Sequence, residues 1–281
     1  MDGSDLDEAL AGARSAVAEA SALLRGVHGG GERIEAIQFK TNELDPVTAW
    51  DLRVEELLRE RLARLTPTIP IVGEEGGAGP DLGPGARTEL RWLIDPIDGT
   101  VNFLHGLPLF GVTASLEEHG RPVVGVIAAP ALGWEAWGRR GGGAFCEAGP
   151  MKVSATDRVA RAMVATGFPY DRATSRKNFA AWDHFQVIAH ACRRLGAASL
   201  DMLMVARGWL DGYWEADIEA WDLSAGALLV EEAGGRVTDL TGGPFVSDTG
   251  RALATNGAIH EEMLHELAAV NARETAQPGG A

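Results

Sequence analysis

Asp95 and Asp98 stand three residues apart at the end of the apolar run Trp92-Leu93-Ile94, and Gly99-Thr100 follows directly. Two carboxylates about one turn apart can converge on one point. Gly99 lets backbone approach a ligand closely. A short helix starting near Asp98 would turn its free N–H groups toward the same point, beside the carboxylates. Carboxylates prefer a hard cation, and amides at a helix N-terminus prefer a phosphate. Together they predict a Mg²⁺-phosphate site. Pro96 has no N–H to donate and a fixed φ, so the strand is expected to stop there.

Other acids lie at similar places. Glu74 follows a short apolar strand. Asp222 opens an apolar helix, where it reads as an N-cap. Asp51 lies inside a helix, on a different side from Leu58 and Leu62. Taken singly, Asp222 is an ordinary cap, Glu74-Glu75 a solvated turn and Asp51 a solvated helix face. Taken together, several acids with one bridging aspartate form what a two-metal phosphoryl-transfer site requires. Competing motifs are absent. The spacing Asp95-Pro96-Ile97-Asp98 is not the acyl-phosphate pattern Asp-x-Asp-x-Thr, and no phosphate loop with Gly-Lys-Ser/Thr occurs. His260 and His265 are five apart, not the four a zinc helix needs. No Gly-x-Ser-x-Gly elbow occurs. His28, His105, His184 and His190 are scattered and read as structural.

The elements that must position these groups follow from periodicity. Leu6, Leu10, Ala13, Val17, Ala20 and Leu24 mark one face of a helix over 5–25, with Ser4 as its N-cap. Arg33–Phe39 reads as a strand ahead of Lys40. Pro46 opens a second helix at its first turn, with Trp50, Val54, Leu57, Leu58, Leu62 and Leu65 as its stripe. Ile69–Val72 is a short strand, and 76–88 a Gly- and Pro-rich loop. Residues 109–145 read as a β-meander turning at His119-Gly120. Beyond it the pattern predicts a strand over 163–166, helices over 175–194 and 200–207, a strand over 212–215 and an apolar helix over 223–233. Short strands near 236–238 and 252–254 precede a last helix over 258–272. Helices, a meander and then alternating strands and helices imply layered α/β lobes, about 1–150 and 151–272, within one domain, with a frayed tail at 273–281.

Composition sets the outer bounds. The chain has 281 residues, 46% apolar and 23% charged, with a net charge of −15. So acidic a chain does not suit general nucleic-acid binding, and a polyanionic substrate would need help from metals or local Lys and Arg. Two cysteines, Cys146 and Cys192, make no disulfide framework and fit a reducing cytosol. No apolar leader opens the sequence, and no apolar run reaches the roughly 18 residues of a membrane span, so a cytoplasmic protein is expected.

At this point the residues resemble a known family. Asp95-Pro96-Ile97-Asp98-Gly99-Thr100-Val101-Asn102-Phe103 resembles the first signature of the inositol monophosphatase family. Trp221-Asp222-Leu223-Ser224-Ala225-Gly226-Ala227, continued by Glu232-Ala233-Gly234-Gly235, resembles the second. Gly73-Glu74-Glu75 is similar to the family's metal-binding turn, and Val47-Thr48-Ala49-Trp50-Asp51 to its Val-Thr-x-x-Asp helix. The resemblance covers roughly residues 5–270, in family order and spacing.

The resemblance implies a layered αβαβα sandwich of the inositol monophosphatase and fructose-1,6-bisphosphatase type. It implies that Glu74 and Asp95, with the Ile97 carbonyl, hold one Mg²⁺. Asp95, Asp98 and Asp222 would hold a second, with a third ion beside Glu74. Thr100 and Asp51 would orient and deprotonate the attacking water, and the Gly99 and Thr100 amides would hold the phosphate. Gly196, Ala197, Glu215 and Asp98 would meet the alcohol, and Lys40 matches a lysine near the outer metal. A Li⁺-sensitive, homodimeric phosphomonoesterase is implied, with a small polyol phosphate, myo-inositol monophosphate first, as substrate. Fructose 1,6-bisphosphate, histidinol phosphate, 3′-phosphoadenosine phosphates and a regulatory role at the transcription machinery are the alternatives. Gly167-Phe168-Pro169 and Trp214-Glu215 resemble the broad bacterial branch. Ala197 replaces a usual Ser or Thr, Ser224 a usual Ala, and Glu219 adds charge at the mouth.

Overall fold

The computed structural model describes residues 2–30, 34–40, 42–78, 89–170 and 172–276. The chain opens on α1 (Gly3–Gly29), which begins earlier than the periodicity suggests. Asp2, not Ser4, is the N-cap: its carboxylate accepts from Ser4 N and Asp5 N at 2.8 and 3.0 Å, and Asp5 reaches back to Asp2 N. The strand expected from Arg33 is β1 (Ala36–Phe39), and Arg33 itself lies outside the described residues. Pro46 starts a strand rather than a helix, because β2 (Pro46–Thr48) pairs with β1. Thr48 then caps α2 (Ala49–Leu65).

The large sheet follows. It contains β3 (Ile71–Gly73), β4 (Gly77–Ala78) and β5 (Leu90–Asp98). The short helix α3 (Thr100–Leu104) intervenes. The meander then adds β6 (Gly111–Glu118), β7 (Arg121–Ala129), β8 (Trp134–Arg139), β9 (Gly143–Cys146) and β10 (Gly149–Pro150). The order is β10-β9-β8-β7-β6-β5-β3-β4. The outer part of the expected 76–88 loop, 79–88, lies outside the described residues. Pro96 does not end β5. The register with β6 shifts between Asp95 and Asp98, and the strand runs on through this bulge to Asp98.

The second sheet is built from β11 (Met163–Thr166), β12 (Ala191–Arg193), β13 (Gly212–Ala216), β14 (Arg236–Thr238) and β15 (Arg251–Thr255). Its order is β12-β11-β13-β15-β14. Between these strands lie α4 (Arg172–Ile188), α5 (Ala198–Ala206), α6 (Ala220–Glu232) and finally α7 (His260–Ala276). The expected helix to 194 stops at Ile188, because Cys192 pairs beside Val164 as part of a parallel strand. The tail expected to fray from 273 is helical as far as Ala276, where α7 ends; 277–281 lie outside the described residues.

These elements stack in five layers: α1 and α2, the large sheet, α5 and α6, the second sheet, then α4 and α7. Three apolar cores fill the gaps between layers. Val17, Leu58, Trp92 and Val112 lie in the first, Ile127, Met202, Leu229 and Tyr213 in the second, Phe185, Trp214 and Met263 in the third. This is the layered αβαβα arrangement expected. The near-uniform hydrophobicity of α5 and α6 follows from it, since helices between two sheets are covered on both sides. Both cysteines are buried and unpaired. Among the described residues no helix is long and apolar enough to cross a membrane.

Candidate active site

The end of β5 supplies the centre. Asp95 is 1% exposed. Its Oδ1 accepts from Ile97 N at 2.9 Å, while its Oδ2 is buried with no hydrogen-bond partner. Gly99 takes φ +90°, a left-handed value that favours glycine, and a Cβ there would meet Gly196 O at 3.0 Å and Leu109 O at 3.1 Å. The turn brings Thr100 back under the bulge. Its hydroxyl lies 3.0 Å from the Ile97 carbonyl and 3.2 Å from Asp51 Oδ1.

Asp51 is not on a separate, solvated side of its helix. It is wholly buried, on the face that carries Val54, Leu58 and Leu62. It holds the third helical position, and its Oδ2 accepts from Thr48 N at 2.7 Å and Thr48 Oγ1 at 2.5 Å. One oxygen is thus committed to the cap and the other faces Thr100. Burial pushes the Asp51 carboxyl up to about 6, against the Thr48 hydrogen bonds that lower it.

Asp222 arrives on α6. It is not the N-cap; Glu219 is, and Asp222 at the third helical position accepts from Glu219 N at 3.1 Å. One oxygen each from Asp95, Asp98 and Asp222 lie within 4.8 Å of one another. Burial first, then Glu74, Asp222 and Asp98, raise the Asp95 carboxyl well above the usual carboxylate range. Burial and the neighbouring charges of Asp98 and Glu74 do the same to Asp222. Burial pushes Asp98 up to about 6 despite hydrogen bonds from Ser199 and Ala198. Such a cluster resists full ionisation until a cation joins it.

Glu74 stands just after β3. Lys40 Nζ approaches Glu74 Oε1 at 2.6 Å and Glu75 Oε1 at 2.7 Å. Burial works against the Lys40 charge, but the two glutamates hold its pKa above the ordinary lysine value. Glu215 lies near the end of β13, buried, and accepts a hydrogen bond from the Tyr213 hydroxyl. Burial lifts its carboxyl to about 7.

A cavity of about 480 Å³ joins these groups. Lys40, Glu74, Asp95, Ile97, Asp98, Gly99, Thr100, Gly196, Ala197, Glu215, Glu219 and Asp222 all line it. Asp51 does not; it stands behind Thr100. Sequence reasoning missed Tyr170, Arg194 and Asp201, which line the same cavity. Asp201 carried a signal: a charged residue inside the apolar run of α5, 1% exposed, with Oδ1 unpartnered. Tyr170 and Arg194 carried none.

The sequence profile described as the inositol monophosphatase family matches residues 5–274. The chain belongs to the inositol monophosphatase family. It is 38% identical to the inositol-1-monophosphatase of Mesorhizobium japonicum over 222 residues, 78% of this chain and 82% of that one. It is 36% identical to the inositol-1-monophosphatase SuhB of Mycobacterium tuberculosis over 274 residues, 93% of this chain and 94% of that one. A solved inositol monophosphatase from Anabaena superposes with a TM-score of 0.81 at 38% identity, covering 92% of this chain and 95% of its own. As an inositol monophosphatase family member, the chain is a phosphoric monoester hydrolase. The buried acids of this family member are hard oxygen donors, and the unpartnered Asp95 Oδ2 among them suits a divalent cation such as Mg²⁺.

Proposed function

We propose that the chain hydrolyses a small polyol phosphate in the presence of Mg²⁺, with myo-inositol monophosphate as the first candidate. The observation that carries this reading is the trio Asp95, Asp98 and Asp222, with Asp95 Oδ2 buried and unpartnered among them. Such an atom is costly to leave unmatched, and a cation would match it.

Glu74, Asp95 and the Ile97 carbonyl would hold one ion, and Asp95, Asp98 and Asp222 a second, with room for a third beside Glu74. When bound, the ions supply charge neutralisation for the phosphate, a more acidic water and stabilisation of the leaving alkoxide. The protein's own part is orientation and proton handling. The Thr100 hydroxyl can receive a water's hydrogen bond while passing its own proton toward Asp51 Oδ1, which the cap leaves open. The raised Asp51 carboxyl is matched to accepting a proton near neutral pH. The Gly99 and Thr100 N–H groups would meet the phosphate oxygens. Across the cavity, Glu215 and the backbone of Gly196 and Ala197 would receive the alcohol, with Asp98 between the two ends. Attack in line by the activated water, with no phosphoenzyme, is the course that the family resemblance implies. The Ala197 departure removes a hydroxyl from the alcohol wall, so substrate choice rests there on backbone and on Glu215. Lithium sensitivity and a homodimer are read from the family resemblance, and a cytoplasmic location from the two free cysteines, which suit a reducing compartment.

Phosphate release from inositol, sugar, histidinol and nucleotide phosphates, with Mg²⁺ titrated and Li⁺ added, tests the reading. Turnover that needs Mg²⁺ and favours inositol phosphate is expected. Full turnover in the presence of a chelator would overturn the metal assignment, and preference for another ester would overturn the substrate.

A further inference from the structure

Glu55 follows Asp51 by one turn on the buried face of α2 and is 3% exposed. Its carboxylate touches no part of the cavity. It reaches instead to the turn after β3. Oε2 accepts from Glu75 N at 2.7 Å, and Oε1 accepts from Gly76 N at 2.7 Å and Arg59 Nε at 2.8 Å. Arg59 also donates to the Ile71 carbonyl at 2.9 Å, so α2 grips β3 at both ends. The glycines flanking the turn are there for this contact. A Cβ on Gly73 would lie 2.7 Å from Glu55 Oε2, and one on Gly76 2.6 Å from Oε1. Glu74 stands inside the gripped segment.

We propose that Glu55 is a positioning residue: it fixes the Glu74 turn to the helix that carries Asp51 and so sets the metal affinity of the site. The inference rests on the reading of Glu74 as a metal ligand. The physical case is that Glu74 hangs on a turn whose next two amides, Glu75 N and Gly76 N, both donate to Glu55. A buried carboxylate accepting two of them is a strong, directional restraint. Because Asp51 and Glu55 share one helix, the water-orienting acid and the Glu74 carboxylate are held in a fixed relation. Gln at position 55 keeps one acceptor but turns an NH₂ toward the other amide, so the turn loses half its anchor.

Calorimetric titration of Mg²⁺ into the metal-free protein, without substrate, is the test. Glu55→Gln is expected to raise the Mg²⁺ dissociation constant about 10- to 100-fold, as loss of a ligand's support does. At saturating Mg²⁺ its KM should match the wild type. Leu62→Ala, a cavity on the same helix face, should lower the melting temperature at least as much yet leave Mg²⁺ affinity intact. Glu74→Gln should lose affinity at least as severely as Glu55→Gln. Wild-type Mg²⁺ affinity in Glu55→Gln would overturn the inference, and so would an equal loss in Leu62→Ala. Wild-type affinity in Glu74→Gln would overturn the metal reading itself, and the role of Glu55 with it.

Discussion

Ser199 gives both its N–H, at 2.7 Å, and its hydroxyl to one oxygen of Asp98, so a carboxylate from β5 serves as the N-terminal cap of α5. The other oxygen takes Ala198 N at 3.2 Å, while Ala197, in the N-cap position, offers no side-chain bond. Asp98 therefore cannot move without moving the helix on the alcohol side of the cavity. Ser199→Ala should lower the stability of the metal-free protein by about 1–2 kcal/mol, the usual worth of a cap or a charge-assisted bond. Urea unfolding without metal measures it. Asp98→Ala should cost more, since three donors lose their acceptor; a smaller loss than in Ser199→Ala would contradict the capping role.

Asp95 behaves in the opposite sense. Its Oδ2 has no partner, and burial and three neighbouring acids raise its carboxyl. Asp95→Asn keeps an oxygen for Ile97 N and removes a disfavoured charge. The variant should melt at or above the wild type in metal-free buffer, yet gain no stability from Mg²⁺ and release no phosphate. Normal Mg²⁺-dependent turnover by this variant would remove Asp95 from the site.

The pH dependence without metal follows from the same acids. Burial places Asp51 and Asp98 at about 6 and Glu215 at about 7. A carboxyl raised in the folded state binds more protons there than in the unfolded chain, so stability falls as pH rises through the window between the two values. Here that window runs from about pH 4 to about pH 7. Metal-free melting temperatures should carry a downward contribution across it. Mg²⁺ bound at Asp98 would take the place of its proton, so the rise it produces in melting temperature should be larger at about pH 7.5 than at about pH 5. A Mg²⁺ effect independent of pH would count against cation binding at Asp98.

Much of the site could be read from the chain because its parts sit in short motifs at element ends. Asp95, Asp98, Gly99 and Thr100 occupy one bulge and one turn, so local spacing already brings them together. Glu74 and Asp222 were legible as acids after a strand and at a helix start. The facing of Asp51 was not. Its i+3, i+7 and i+11 neighbours Val54, Leu58 and Leu62 share its face, but an aspartate on an apolar stripe reads as solvated until Thr48 and Thr100 are seen around it. Glu55 carries no signal in the sequence, because its partners are backbone amides about 20 residues away. Tyr170 and Arg194 line the cavity only because separate segments of the second sheet meet there. The layered fold was legible from the order of periodicities. Element ends were not where a side chain from elsewhere supplied the cap or a strand edge claimed the residues, as with Asp2, Pro46 and Cys192.

His260, which motif reasoning set aside as a zinc ligand, has a structural task that titrates. It is fully buried at the start of α7, with Nε2 3.0 Å from the Thr238 hydroxyl and Nδ1 2.9 Å from the Thr255 hydroxyl. Burial and the Arg236 charge push its pKa down to about 4, and Glu261 only partly opposes them. The helix N-terminus also disfavours a cation there. Between that value and the ordinary histidine range near 6.5, the unfolded chain binds the proton and the folded protein does not. The stability from neutral His260 is thus full above about pH 6.5 and drains away as pH falls toward 4, by about 3 kcal/mol in all. In His260→Gln this drain disappears, while the carboxylates common to both proteins contribute equally. The stability gap between wild type and variant should therefore be widest near neutral pH and narrow as pH falls through 6.5 toward 4.5. Denaturant unfolding of both proteins across that range measures it, and parallel curves would show that the imidazole is charged in the fold, contrary to its fully buried setting between two hydroxyls.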